Sequence, residues 1–159
     1  MDSHDVYLVT GSDREKTVDQ IGIMLYNKAK YVYQCNGNDI WVKDKRIAFN
    51  VLAIDDTFRQ DLIYELKKSD FPLRTGNHIE ERDGLINFSI VGRNATSNIR
   101  QLYVRYDEKY NERKLVAERL REKQPKYDIH VAGETGIDIT AKGANKSQIL
   151  KYFKEDDII

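Results

Sequence analysis

The chain has 159 residues, enough for one or two domains of ordinary size. Apolar residues make up 40% and charged residues 33%, a composition typical of a folded protein in contact with water rather than of a disordered one. Lys and Arg together number 26, as do Asp and Glu, which argues against a general nucleic-acid-binding protein because such proteins usually carry a basic excess.

The first fifty residues have an α/β pattern. Val6–Thr10 is a short apolar run that predicts a strand, and after a turn the apolar residues recur at helical spacing, at Val18, Ile21, Leu25 and Ala29. Tyr31–Gln34 and Ile40–Lys43 predict two strands around a turn, and a further strand is predicted near Arg46–Val51.

A second unit is predicted to begin near Asp55. The pair Asp55–Asp56 offers an N-cap for a helix that must end before Pro72, and its apolar stripe consists of Phe58, Leu62, Ile63 and Leu66. Further along, Asp83–Gly84 is typical of a two-residue type I′ turn, so Asn77–Arg82 and Leu85–Val91 are predicted to form a hairpin.

The hairpin turn determines which side chains share a face. If Arg82 lies opposite Leu85, strand alternation places the apolar residues on one face: Ile79, Ile86, Phe88 and Ile90. The other face then carries His78, Glu80, Arg82, Asn87 and Ser89. This face is unusually polar and mixed in charge.

Two helices and a second strand pair complete the predicted unit. The helices span about Ser97–Tyr106 and Tyr110–Lys123, and the strands Asp128–Val131 and Ile137–Thr140. One side of the second pair carries Ile129, Val131, Ile137 and Ile139, and the other carries His130, Asp138 and Thr140. The pattern predicts an antiparallel α+β layer with helices against its apolar face and its polar face left free.

The remaining sequence predicts a last helix over Ser147–Phe153 and the start of another strand at Asp156–Ile159. Met1–Asp5 has no basic region of a secretion signal, and no later stretch approaches the length of a membrane span. The single cysteine, Cys35, cannot form an internal disulfide and is expected to be an ordinary core or strand residue; no Cys/His cluster has zinc-site spacing. We therefore expect a cytoplasmic protein with no membrane partner.

Three arginines are the sharpest candidates for binding. Arg82, Arg93 and Arg100 surround the polar face or the turn after it, and guanidinium forks suit bidentate binding of a phosphate. Arg93 also precedes a helix that Thr96 or Ser97 could cap, and the positive end of a helix attracts anions. Taken alone, the three arginines could equally be solvated ion-pairing side chains.

Other polar residues leave two interpretations open. Asp138 could accept hydrogen bonds from sugar hydroxyls, or pair with Arg82 or His130. Thr10 and Ser12 follow a strand and precede a helix, so they could hold a phosphate or form an ordinary N-cap. Lys146 could neutralise a phosphate or be a solvated lysine. No catalytic-triad pattern in the sequence includes a histidine, so the three histidines are expected to be non-catalytic: His4, His78 and His130.

Taken together, these stretches resemble the eukaryotic-type phosphomannomutases of the haloacid dehalogenase superfamily, over nearly the whole chain. Val9–Lys16 followed by Gln20–Gly22 is similar to the family's second-strand phosphate loop and the helix after it, and Gln34–Gly37 to its next strand and turn. The closest similarity lies in Gly76–Arg93, which resembles the family's cap.

The resemblance implies roles for individual residues. The spacings of 11 and 7 residues from Arg82 to Arg93 to Arg100 match those of the family's substrate-phosphate arginines. Gly136–Asp138 occupies the place of a serine-x-aspartate pair that contacts the hexose, so Asp138 carries over while Gly136 lacks the serine hydroxyl.

The phosphate loop and a lysine carry over as well. The resemblance assigns Thr10 and Ser12 to phosphate binding. Asn145–Lys146 matches an aspartate-lysine step in which the lysine supports the phospho-aspartate, with Asn145 a departure from the family pattern. Lys146 is therefore expected to support catalysis and not to perform it.

The same resemblance identifies motifs that this sequence lacks. The family's nucleophile and general acid come from an Asp-x-Asp-Gly motif on its first strand, and no such motif occurs here. The family's Mg²⁺-binding glycine-aspartate loop would follow Ile159. We therefore expect no catalytic nucleophile and no metal ligand in this chain, with Mg²⁺ required only by the intact family-type enzyme.

These similarities imply an α/β fold: a partial haloacid dehalogenase core of residues 1–53 and 142–159, with a substrate-binding α+β cap of residues 54–141. They imply a mutase that interconverts hexose 1-phosphate and 6-phosphate, present as a truncated or split chain that is inactive alone. A sugar phosphatase of the same superfamily and a non-catalytic sugar-phosphate-binding or interaction protein are the alternatives. The expected partners are mannose or glucose phosphate, a second copy bound through the cap, and a complementing chain.

Overall fold

A computed structural model of the protein describes residues 5–153. The chain divides into two compact units: the residues up to Val51 together with those from Gly143 onward form the first, and Leu52–Lys142 form the second. His4 and the strand start predicted at residues 156–159 lie outside the described residues. None of the helices in residues 5–153 has the length and apolar character needed to cross a membrane.

The first unit is built on a four-stranded sheet with the strand order β1-β2-β3-β4. β1 (Tyr7–Val9) pairs in parallel with β2 (Tyr31–Gln34), whereas β3 (Asp39–Val42) and β4 (Lys45–Phe49) continue the sheet in antiparallel pairs. The parallel pair needs a crossover connection, since a tight hairpin can join only antiparallel strands.

Two short helices, α1 (Arg14–Ile21) and α2 (Ile23–Lys28), form that crossover. Asp13 caps α1, because its carboxylate accepts a hydrogen bond of 2.8 Å from the backbone N–H of Lys16. The sequence pattern predicted one continuous helix here, and this was wrong. The helix is interrupted at Gly22, whose φ of 80° lies in the left-handed region that glycine adopts without strain.

Two 3₁₀ helices complete the described part of the first unit. Cys35–Gly37 follows β2, and Lys146–Tyr152 replaces the α-helix predicted near the end of the chain. Gln148 joins the two segments, because its side-chain Nε2 donates a hydrogen bond of 2.8 Å to the backbone carbonyl of Asn36. Cys35 is buried, in agreement with its prediction as an ordinary core residue.

The second unit contains an antiparallel four-stranded sheet with the order β5-β6-β8-β7. The strands are β5 (Ile79–Arg82), β6 (Leu85–Phe88), β7 (Tyr127–Ala132) and β8 (Gly136–Ala141). The register of the first hairpin is the predicted one, with Arg82 opposite Leu85. This unit is therefore the predicted α+β layer, and the mixed α/β fold of the chain is confirmed.

Three helices belong to this sheet: α3 (Asp56–Lys68), α4 (Ser97–Tyr110) and α5 (Glu112–Lys123). α4 runs four residues beyond its predicted end at Tyr106. The break comes instead at Asn111, whose φ of 52° is left-handed, a conformation that Asn tolerates better than most residues. Asn111 thus separates two helices that the apolar spacing alone could not divide correctly.

The core of the second unit combines the apolar faces of its helices and sheet. Phe58 and Leu62 of α3, Val116 and Leu120 of α5, and Tyr103 of α4 are buried. They pack with a sheet face that includes Ile86, Phe88, Ile129, Ile137 and Ile139. Full burial of each such side chain stabilises the fold by roughly 1.5–3 kcal/mol. The opposite face of this sheet is polar, with Glu80, Asn87 and Asp138 in register across three strands.

Candidate functional site

The second unit contains a pocket of about 220 Å³ that includes all five substrate-binding residues predicted from the sequence. Its lining consists of Arg82, Asn87, Arg93, Arg100, Ala132, Gly133, Glu134, Thr135, Gly136 and Asp138. Pockets for drug-sized ligands typically measure roughly 300–1,000 Å³, so this one suits a single small polar ligand.

The turn before Arg93 directs that residue to the pocket. Gly76 and Gly92 both have left-handed φ angles, of 85° and 89°, and a Cβ on Gly92 would overlap the backbone carbonyl oxygen of Gly76. This close approach allows the Arg93 N–H to donate a hydrogen bond of 3.1 Å to the Asn77 carbonyl. The glycine pair therefore fixes the backbone from which the Arg93 side chain departs.

Arg82 and Arg93 share one carboxylate at the rim of the pocket. Glu80 Oε2 accepts a hydrogen bond from Arg82 Nη2 at 2.5 Å and lies 3.1 Å from Arg93 Nε. The Arg93 Nε–H is buried but is not aligned for a hydrogen bond with any group in residues 5–153. Glu80 thus holds the two guanidinium groups together through ion pairs in the absence of a ligand.

Arg100 is held more firmly than the other two arginines. Its guanidinium donates hydrogen bonds to the backbone carbonyls of Ala95 and Arg93, at 3.1 and 3.0 Å, and to Thr135 Oγ1 at 3.4 Å. It thereby connects the start of α4, the Arg93 turn and the β7–β8 loop. Arg100 is a structural member of the pocket as well as a positive charge in its lining.

Tyr103, one turn after Arg100, anchors α4 to α5. Its hydroxyl donates a hydrogen bond of 3.0 Å to Glu112 Oε2. Burial, with the neighbouring Glu112 carboxylate, raises the pKa of Tyr103 well above the ordinary value for a tyrosine. The hydroxyl therefore keeps its proton at physiological pH and remains a hydrogen-bond donor that joins α4 to α5.

Two side chains hold the β7–β8 loop, which forms one wall of the pocket. Ser89 Oγ donates to the Thr135 carbonyl at 3.0 Å. Arg113 Nη1 donates to the Gly133 carbonyl at 2.9 Å, and its Nε is paired with Asp107 at 2.8 Å. The loop is thus held from both sides, by Ser89 just after β6 and by Arg113 of α5.

Asp138 lies beside Asn87 in the paired strands β6 and β8. Asp138 Oδ1 accepts a hydrogen bond of 2.6 Å from Asn87 Nδ2. The sequence left open a pairing of Asp138 with Arg82 or His130; the side-chain partner found here is Asn87 instead. His130 is opposite Asp138 in the β7–β8 register but is exposed, and His78 Nδ1 contacts the Ser89 carbonyl at 2.9 Å.

The pocket carries charges of both signs. Its lining carries three guanidinium groups and two carboxylates, those of Glu134 and Asp138. A guanidinium cluster can hold phosphate oxygens, while a carboxylate accepts hydrogen bonds from hydroxyl groups. Charges of both signs in one small pocket therefore suit a ligand that has an anionic end and a hydroxylated end.

The remaining predicted residues lie in the first unit. Thr10 Oγ1 accepts a hydrogen bond of 3.0 Å from the backbone N–H of Ser12. Neither residue is the N-cap of α1, a position taken by Asp13. The backbone carbonyls of Thr10 and Ser12 accept from the Asn36 and Cys35 N–H groups, which links this loop to the first 3₁₀ helix.

Lys146 is the exposed first residue of the second 3₁₀ helix. Gln148 attaches this helix to the first 3₁₀ helix, which in turn contacts the loop of Thr10 and Ser12. The structure thus gathers the segments that carry the three residues into one region of the first unit. Within residues 5–153, no group of three or more His, Cys, Asp or Glu side chains is placed to hold a metal ion.

The sequence did not single out every residue of the pocket. Asn87 was placed on the polar face but was given no role, and the contributions of Glu134 and Thr135 were missed. The hairpin signal at Asp83–Gly84 could have indicated Asn87, since it fixed the register. No local signal indicates Thr135, because its position depends on the long-range contact with Ser89.

Comparison with known proteins places this chain in a family. The family model for eukaryotic phosphomannomutases matches residues 2–159. The phosphomannomutases of Arabidopsis thaliana and Saccharomyces cerevisiae are 31% and 28% identical to this chain, each over 93% of its length. The chain covers 63% and 61% of these two relatives, which is less than two thirds of either.

Solved structures show the same fold at low sequence identity. The C-terminal domain of the Candida albicans trehalose-6-phosphate phosphatase has a TM-score of 0.57 at 15% identity, over 92% of this chain and 46% of that one. A sugar phosphatase of haloacid dehalogenase subclass IIB has a TM-score of 0.54 at 12% identity, over 96% and 65%. The chain therefore has a haloacid-dehalogenase-type fold and belongs to the eukaryotic phosphomannomutase family.

Proposed function

We propose that the second unit binds a hexose phosphate and that the chain contributes this binding to a phosphomannomutase-type interconversion of hexose 1-phosphate and 6-phosphate. The observation that carries the proposal is the convergence of Arg82, Arg93 and Arg100 with Asp138 in one small pocket. The arginines bind the phosphate oxygens, and Asp138 accepts hydrogen bonds from the sugar. Mannose phosphate and glucose phosphate are the two candidate ligands.

These separate roles of the arginines and Asp138 are consistent with phosphoryl transfer, because catalysis of that reaction depends mainly on positioning the substrate and neutralising its charge. Arg82 and Arg93 can exchange their contacts with Glu80 for a ligand phosphate. In the first unit, Thr10 and Ser12 are proposed to contact a phosphate. Lys146 is proposed to support an anionic intermediate without acting as the nucleophile.

Two alternatives remain for the activity. The fold likeness to sugar phosphatases favours hydrolysis of a sugar phosphate by the same pocket. The lack of an Asp-x-Asp-Gly motif in this sequence favours a non-catalytic sugar-phosphate-binding or interaction protein. All three functions use the same pocket, so a binding experiment tests what they share, and turnover experiments separate them.

The proposal extends to cofactors, partners and location. We propose that the intact activity needs Mg²⁺ held by residues other than the described ones, that it takes place in the cytoplasm, and that the chain forms a homodimer through its second unit. Tyr110 and Leu115, about half exposed beside a groove in that unit, supply apolar area for such a contact. A complementing chain with an Asp-x-Asp-Gly segment is a further proposed partner.

We predict that Arg82→Ala and Arg93→Ala weaken the binding of mannose 6-phosphate. Each change removes a charge-assisted hydrogen bond to phosphate, worth about 1.5–3 kcal/mol, which corresponds to a loss of affinity of roughly 10- to 150-fold. Isothermal titration calorimetry of the 159-residue chain measures the affinities, and thermal melts of the same samples show that the variants remain folded.

Arg105→Ala is the matched control, because Arg105 is an exposed arginine on α4 that does not line this pocket. This variant should bind as the unmodified protein does. If the Arg82 and Arg93 variants bind mannose 6-phosphate normally, or lose affinity only because they unfold, these arginines are solvated side chains that do not bind phosphate.

A further inference from the structure

Asn87 occupies the centre of the polar face of the second unit. It lies on β6 between Glu80 of β5 and Asp138 of β8, which are its partners in the two neighbouring strands. Its side chain is only 6% exposed, yet it forms part of the pocket lining. A buried side chain in a pocket lining presents few atoms to a ligand. The orientation of the Asn87 amide therefore determines whether its nitrogen or its oxygen remains for a hydrogen bond with the ligand.

The contact with Asp138 fixes that orientation. A carboxylate only accepts hydrogen bonds, so the group that faces Asp138 Oδ1 at 2.6 Å must be the Asn87 amide nitrogen. The amide oxygen, Asn87 Oδ1, is therefore the atom left over. It is buried and has no hydrogen-bond partner among residues 5–153.

An unpaired buried carbonyl oxygen is unfavourable, and the ligand that satisfies it must donate a hydrogen bond. The oxygens of an ionised phosphate are acceptors and cannot serve this purpose. A hydroxyl group can donate. Asn87 Oδ1 therefore discriminates between the two ends of a sugar phosphate, since only the sugar end can contact it favourably.

Gly136 provides the space that the amide occupies. A Cβ at this position would lie 2.6 Å from Asn87 Nδ2 and 3.3 Å from Asn87 Cγ. Any larger residue at position 136 would force the amide to move away from its place beside Asp138. The position of the Asn87 amide therefore depends on the absence of a side chain at Gly136.

We infer that Asn87 is a specificity-determining residue, whose Oδ1 accepts a hydrogen bond from one sugar hydroxyl while its Nδ2 holds the Asp138 carboxylate in place to accept from another. This inference rests on the proposed binding of a hexose phosphate and adds to it the residue that recognises the sugar. Asn87 acts on the hydroxylated end of the ligand, whereas the arginines act on the phosphate.

The test compares Asn87→Ala with the unmodified chain by calorimetric titration. The probes are glucose 6-phosphate, a series of its analogues that each lack one hydroxyl, and inorganic phosphate. For the unmodified chain, loss of the recognised hydroxyl should weaken binding about tenfold, the factor expected for one hydrogen bond. In Asn87→Ala, glucose 6-phosphate itself should bind about tenfold more weakly, and that analogue should show no further loss. Binding of inorganic phosphate should not change.

Two further variants guard against a purely structural effect. Gly136→Ala keeps Asn87 but displaces its amide, and it should abolish the same hydroxyl preference. If Asn87→Ala does not fold in thermal melts, the Gly136→Ala variant decides the question. Asn98→Ala is the matched control, because Asn98 is exposed on α4 and is not part of the pocket lining.

Three results would overturn the inference. If Asn87→Ala and Gly136→Ala retain the hydroxyl preference of the unmodified chain, Asn87 does not recognise the sugar. If the unmodified chain binds glucose 6-phosphate and all its deoxy analogues equally, no hydroxyl is recognised, although the arginines still bind phosphate. If the unmodified chain binds neither sugar phosphate nor inorganic phosphate, the proposed function fails as well.

Discussion

The three pocket arginines differ in how the folded protein already uses them. Arg82 and Arg93 share the Glu80 carboxylate at the rim of the pocket. Arg100 donates instead to two backbone carbonyls and to Thr135, and so connects three separate segments. Their contributions to binding are expected to be similar, but their contributions to stability are not.

We predict that Arg100→Ala lowers the free energy of unfolding by about 1–3 kcal/mol, because it leaves half-buried carbonyl acceptors without their donor. Arg82→Ala should change it by about 0–1 kcal/mol, as expected for a partly exposed ion pair. Urea denaturation followed by circular dichroism measures both values. Equal stabilities of the two variants would contradict the connecting role of Arg100.

At the residue scale, local sequence patterns identified the arginines of the pocket but not the polar residues that lie beside them. The hairpin turn at Asp83–Gly84 and the spacing of the arginines were sufficient to place Arg82 and Arg93 near one polar face. The contact between Asn87 and Asp138 joins residues 51 positions apart and requires β6 to pair with β8. No local pattern specifies that pairing, so the central polar residue of the pocket received no role.

Among the elements, helix α3 has the clearest electrostatic attachment. Asp55 caps it through a hydrogen bond of 2.8 Å to the Phe58 N–H, and Lys126 Nζ, near the start of β7, donates to Asp55 at 2.6 Å. The hydrogen bond from Lys126, followed by that from the Phe58 N–H, lowers the pKa of the Asp55 carboxyl below its ordinary value. One ionised carboxylate thus contacts both the start of α3 and the residue before β7.

The sign of the pH effect follows from the lowered pKa. The stability contributed by the Asp55 charge is fully present above the unfolded-state carboxyl pKa of about 3.9 and is lost as the pH falls through the lower folded-state pKa. We predict that Asp55→Asn, which retains a good capping side chain, is less stable than the unmodified chain at pH 7 and that this difference becomes smaller as the pH is lowered to about 2.5. Urea midpoints at the two pH values measure the difference.

The neighbouring substitution Asp56→Asn is the control for that experiment. It removes one negative charge from the first turn of the same helix without removing the contact with Lys126. A stability difference for Asp55→Asn that remained constant from pH 7 to pH 2.5 would show that the cap geometry matters and the ionic contact does not.

Sequence patterns predicted the helix boundaries less well than they predicted the strand pairing. The apolar residues from Val18 to Ala29 keep one helical spacing, so they gave no reason to expect two helices. Gly22 interrupts the helix through its backbone conformation, which does not alter that spacing. The break at Asn111 has the same cause. Strand pairing in the first hairpin was predicted correctly, since a two-residue turn leaves one register that buries the apolar face.

For the whole molecule, the central question is what the chain does without an Asp-x-Asp-Gly motif. Mutases and phosphatases that use an aspartyl-phosphate need a carboxylate nucleophile, and a lysine such as Lys146 can only neutralise the charge that develops. The first unit contains β1 at the end of its described sheet order, with Val6 and Val9 exposed there. A strand edge of this kind can pair with another segment.

We predict that the purified 159-residue chain, with Mg²⁺, turns over neither mannose 1-phosphate nor glucose 6-phosphate, although it binds hexose phosphates. Adding a separately expressed chain that carries an Asp-x-Asp-Gly strand should restore turnover if the protein is one part of a split enzyme, because that strand supplies the missing nucleophile. A coupled spectrophotometric assay measures the mutase reaction, and release of inorganic phosphate measures hydrolysis. The Arg82→Ala variant is the control, because activity arising from this pocket must fall with it. Turnover by the chain alone that survives repeated purification and is lost in Arg82→Ala would contradict the prediction and require a nucleophile among its own residues.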